Sequence, residues 1–106
     1  MDPIVFTDIA AEVEIPDNGT LSRVLYRDDQ IRVVAFAFDT AQELTEHTAT
    51  VPALIEVVRG RFRLTLGDDA VEDAGPGFWA HMPGGLPHSV EAIEPGVLLL
   101  SLLQAG

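Results

Sequence analysis

Three histidines, His47, His81 and His88, carry most of the chemistry this sequence offers. An imidazole nitrogen can ligate a first-row metal, take a proton or hydrogen-bond a ligand. There is no cysteine, which excludes thiolate nucleophiles, sulfur ligands and disulfides together. Gln42, Glu43 and Glu46 run up to His47, and a carboxylate there could serve as a ligand or general base. With 17 acidic residues in the chain, the simpler reading of that run is a solvated acidic loop. Ser89 adjoins His88 but forms no nucleophile–base pair with it, because neighbouring strand residues point to opposite faces. No glycine-rich phosphate loop and no serine elbow is present.

All 6 basic residues are arginines: Arg23, Arg27, Arg32, Arg59, Arg61 and Arg63. The last three are expected on one side of a strand and could capture an anion, but a solvent face paired with acids such as Glu56 and Glu72 explains them more simply. The net charge of -11 repels phosphate backbones and anionic bilayers, so neither nucleic acid nor a membrane is an expected partner. The N-terminus has no basic region or long apolar run of the kind a signal peptide needs. The longest apolar stretch, near 97–103, is interrupted by Ser101 and is too short to span a bilayer. A cytoplasmic protein is expected.

The elements that must position these residues read as strands. Short β-favouring runs recur at 21–26, 31–38, 53–58, 61–66, 70–72, 78–82, 88–93 and 97–103, separated by Gly, Pro, Asn and Asp. The first two are joined across Asp28-Asp29-Gln30 as a hairpin. In 61–66, Phe62, Leu64 and Leu66 share one face and Arg61, Arg63 and Thr65 the other, the pattern of a half-buried antiparallel strand. The same alternation sets Phe78, Ala80 and Met82 inside and puts Trp79 and His81 outside, at a subunit interface. The run 97–103 predicts a strand covered on both faces. A turn of helix is expected only at 41–46. The 106 residues make one all-β domain, a sandwich or barrel, small enough that a second subunit would help to bury surface.

Residues 77–88 resemble the second conserved motif of the cupin superfamily. Gly77, Pro83, Gly85 and His88 fall in its register, with Ala92 where an Asn often stands. Pro83 ends a strand, Gly84-Gly85 turns the chain, and His88 opens the returning strand. The first cupin motif is matched by His47 and by Gly60 at its close, while Ala41, Ala49 and Ala53 replace its opening Gly, second His and Glu. The resemblance implies a cupin jelly-roll barrel over residues 1–106, typically a homodimer.

It also implies a pocket between the sheets lined by His47, Ala49, Ala53 and His88, the two imidazoles within about 5 Å of each other. In the family those histidines hold a divalent metal such as Mn, Fe, Ni or Zn, and His81 or Glu46 would be the substitute donors here. Two imidazoles are an incomplete ligand set. The loss of His and Glu at Ala49 and Ala53 ranks a metal-free module binding a small molecule above a metal-dependent enzyme of dioxygenase or isomerase type. No catalytic residue is assigned.

Overall fold

The computed structural model describes residues 1–104, without the side chains of Glu46 and His47. The chain forms β1 (Thr20–Arg27), β2 (Ile31–Phe38), β3 (Glu43–His47), β4 (Ala53–Arg59), β5 (Phe62–Leu66), β6 (Asp69–Ala74), β7 (Trp79–Met82), β8 (His88–Ala92) and β9 (Gly96–Leu103). A single 3-10 turn, Ile9–Glu12, precedes them. The strands make a larger sheet in the order β1-β2-β9-β4-β7 and a smaller one in the order β3-β8-β5-β6, all pairings antiparallel. Among the described residues no helix is long and apolar enough to cross a membrane.

Period-2 patterning builds the interior. Phe62 and Leu64 on β5, Val90 and Ala92 on β8, Ile55 and Val57 on β4 and Phe38 on β2 all lie buried between the sheets. The rings of Phe38 and Phe62 meet edge to face at 5.4 Å, a favoured aromatic geometry. A second, smaller cluster of Val13, Ala35, Ala37 and Val97 lies on the outer face of the larger sheet. The strand expected to be covered on both faces is so only at its start: Val97 and Leu98 are buried, and 99–103 are half-buried.

The hairpin turn between β1 and β2 is organised by one side chain. Asp28 Oδ1 accepts from the N–H groups of Gln30 and Ile31 at 2.8 and 2.9 Å, and Oδ2 accepts from the Tyr26 hydroxyl at 2.6 Å. That is the aspartate-turn logic in which a short carboxylate replaces backbone acceptors. The Tyr26 hydroxyl first, then the backbone donors, holds the Asp28 carboxyl below its usual range.

Two expectations are corrected. The segment 41–46 is not helical: Ala41 is left-handed, at φ 66°, and β3 begins at Glu43. Cross-strand pairing of Leu44 with Val90 overrides the local helical preference. Arg59 does not share a strand with Arg61 and Arg63 either. Gly60, at φ 82°, turns the chain from the larger sheet into the smaller one. Only glycine fits there, since a Cβ would lie 2.4 Å from the Pro95 carbonyl oxygen.

Candidate functional site

The site is built from the turn between β7 and β8. Gly85 takes φ 84°, and its N–H donates to the Ala49 carbonyl at 2.7 Å. A Cβ on Gly84 would lie 2.7 Å from the Thr50 carbonyl oxygen, so the loop 48–52 sits directly on this turn. The Gly67 N–H donates to the Pro87 carbonyl at 2.7 Å, tying the turn to the end of β5. His88 then opens β8 with Leu66 of β5 on one side in register and His47 of β3 on the other.

His88 is 4% exposed, the one buried polar side chain among the described residues. It shares the inner face of β8 with Val90 and Ala92. Its Nδ1 lies 3.1 Å from the Leu86 carbonyl oxygen. A carbonyl only accepts, so in the neutral ring Nδ1 carries the proton and Nε2 is the acceptor nitrogen.

The partner strand carries a β-bulge. Leu44 pairs with Val90 and His47 with His88, so three steps along β3 match two along β8. Without that extra residue Glu46, not His47, would stand opposite His88. The sequence shows no mark of the bulge. The side chains of both, and with them the expected approach of the two imidazoles, lie outside the described residues.

Ala53 is buried on the inner face of β4, opposite Met82 on one side and Leu102 on the other. Ala49 is half-buried in the loop, where its carbonyl receives the Gly85 N–H. Between the sheets, Phe36, Leu44, Ile55, His88 and Leu100 line a cavity with room of about 10 Å³ for a water-sized sphere, enough for one water. An open hollow of about 450 Å³ lies at the same end of the barrel on the outer side of the smaller sheet, against Thr65, Asp68, Leu86, Pro87, His88 and Ser89. His81 is exposed on β7, paired with Leu54 in register, and Trp79 is exposed beside it, as alternation predicts. Ser89 faces away from His88, toward the outside with Thr65.

A metal fits the described donors poorly. Ala49 and Ala53 carry no donor side chain, and no three His, Asp or Glu side chains converge among the described residues. No reaction step is therefore derived through a metal.

One residue at this end escaped the sequence reading. Arg32 counted there only as one arginine of several, yet its even position in β2, in step with Val34, Phe36 and Phe38, was a usable signal for the inner face.

Two antiparallel sheets closed by these left-handed glycine turns, with a histidine opening β8 inside, define a cupin jelly roll. No protein-family model matches the chain, and no curated protein does. Solved structures do. A cupin superfamily protein from Desulfitobacterium hafniense superposes with a TM-score of 0.86 at 19% identity, over 99% of this chain and 95% of that one. An RmlC-like cupin from Desulfovibrio desulfuricans gives 0.80 at 21%, over 98% and 97%. A conserved protein of unknown function from Streptococcus pyogenes gives 0.85 at 24%, over 100% and 92%. At these identities the likeness is one of fold, and the fold is that of a small cupin.

Proposed function

We propose that this protein binds a small molecule at the barrel end carried by His88, without catalysis by a complete cupin metal set. The observation that supports it is His88 itself: a buried imidazole in an otherwise apolar interior, held in one tautomer and flanked by an open hollow. Buried polar groups of this kind fix ligand orientation in mostly apolar sites. The test is a small-molecule screen by two-dimensional NMR on the full chain. Binders should perturb the signals of His88, Leu66 and Leu86 together, and His88→Phe should remove that response. Perturbations confined to the opposite end, near Gly60 and Gly96, would contradict the reading.

A second reading, a divalent metal on His47 and His88, draws support from their pairing in register across β3 and β8. Metal analysis of the purified protein and titration with Mn or Ni decide it. One-to-one tight binding would overturn the metal-free reading.

The assembly we propose is a homodimer through the outer face of the larger sheet. Trp79 is 56% exposed there, next to Glu56 and, one strand further, Leu99. A domain this small gains from burying such a face against a second copy. Light scattering at micromolar concentration should give twice the chain mass, and Trp79→Glu should reduce it to one. A monomer mass for the parent would remove the idea.

A further inference from the structure

We propose that Arg32 anchors a carboxylate of the ligand, so that the His88 end takes small organic acids; this rests on the reading of that end as a binding site and names its ligand class. β2 pairs with β9 from Ile31 to Phe38 without a bulge. Phe36 and Phe38 pack between the sheets while Ala35 and Ala37 pack outside. Period 2 therefore sets Arg32 on the inner face. In register it continues a row across the larger sheet: Arg32, Leu102, Ala53, Met82. The turn that follows Met82 leads directly into His88, so the guanidinium and the imidazole belong to the same barrel end.

Arg32 Nε is buried and has no hydrogen-bond partner. Among the described residues Arg32 also makes no ion pair, whereas Arg23, Arg61 and Arg63 each do. Arg27 and Arg59 lack ion pairs there too, but both are exposed, where water serves. A buried N–H without an acceptor is costly, and more so on a cation. Arg27 worsens the balance, since it stands directly opposite Arg32 on β1, and like charges so placed repel. Of the two acids in the turn before it, Asp28 already accepts from Tyr26, Gln30 and Ile31, and Asp29 is exposed and forms no ion pair with Arg32 among the described residues.

A carboxylate would answer each of these features. It accepts two parallel N–H bonds from a guanidinium, Nε–H among them, and screens Arg27 from Arg32. The register neighbour Leu102 is apolar and half-buried, which suits a short apolar body behind the acid; Ala53 and Met82 beyond it are already buried. The chain's net charge of -11 disfavours polyanions.

The experiment follows the Arg32 Nε–Hε and His88 ring signals by NMR in the full chain. Acetate, pyruvate and benzoate are each added beside the corresponding neutral amide. The acids should shift both signals, with at least one bound tenfold or more tighter than its amide. Arg32→Met should abolish that preference, and Arg32→Lys should restore part of it. Acids and amides that bind alike at His88 would overturn the carboxylate anchor and leave the pocket standing. Failure of every probe to shift either signal would overturn both. An Arg32 signal that answers to Glu46→Gln and to no added acid would assign the guanidinium to an internal ion pair, and the proposal would fall.

Discussion

The outer face of the smaller sheet and the His88 end of the barrel treat their charged and polar groups in opposite ways. On the outer face, Arg61 Nε donates to Asp73 at 2.6 Å, and Arg63 donates to Glu72 at 2.9 Å and to Glu91. These groups are in water, come from three neighbouring strands, and complete one another across the sheet. At the barrel end a guanidinium Nε is buried without an acceptor, while the buried imidazole is bonded through Nδ1 to the Leu86 carbonyl. Sites that bind tend to hold polarity the fold itself does not satisfy, and faces that only stabilise tend to leave none over. On the proposed reading, one region serves stability and the other recognition.

The largest expected effect breaks the turn on which both regions depend. Gly60→Ala forces a left-handed Cβ against the Pro95 carbonyl and should destabilise by more than about 3 kcal/mol. Denaturant unfolding measures it, and a near-neutral result would mean that the crossover from β4 to β5 is misdescribed. A smaller effect, of opposite sign, belongs to Ala41. Relief of its left-handed strain should recover about 1–2 kcal/mol, less about 0.4–1 kcal/mol of added chain entropy. Ala41→Gly should therefore raise the unfolding midpoint modestly, without changing ligand response at His88.

Acid should erode the paired face gradually, and this is the smallest effect. The Arg61 hydrogen bond holds the Asp73 carboxyl below its ordinary range, and the Tyr26 hydroxyl, ahead of the backbone donors, does the same for Asp28. A carboxyl whose folded pKa is depressed contributes stability above its unfolded pKa of about 3.9 and loses it as pH falls through the folded value. Thermal midpoints should thus be flat near neutrality and fall below about pH 4. Because these groups are exposed, added salt should shrink the slope. A midpoint that instead rises on acidification would contradict the assigned pairing.

Much of the fold was legible because its determinants are local and repeat. Alternation placed Phe62 and Leu64 inside and Arg63 outside, and the hairpin across Asp28 appears as read. The glycines of the two motifs were legible as spacing, and the structure supplies the cause: Gly60, Gly77 and Gly85 all take positive φ. Ala41, at the position of the absent motif glycine, takes it as well. What stayed hidden is relational. The bulge in β3 depends on which strand lies beside it, and Arg32 gains its meaning from Leu102, Ala53 and Arg27 across strands far apart in sequence. The helical turn at 41–46 failed for the same reason, since pairing with β8 decided that segment.

The contrast between the two regions is tested most directly by thermal unfolding of Arg32→Met and Arg63→Met, each with and without saturating benzoate. Removing a half-buried guanidinium whose Nε has no acceptor should raise the midpoint of Arg32→Met above the parent, by about 1 kcal/mol of stability, and cancel the benzoate-induced rise. Removing a paired surface cation should lower the midpoint of Arg63→Met and leave the benzoate rise intact. If Arg32→Met is destabilised as Arg63→Met is, and benzoate still stabilises it, Arg32 is a structural residue and the division of the molecule into a stabilising face and a recognising end is wrong.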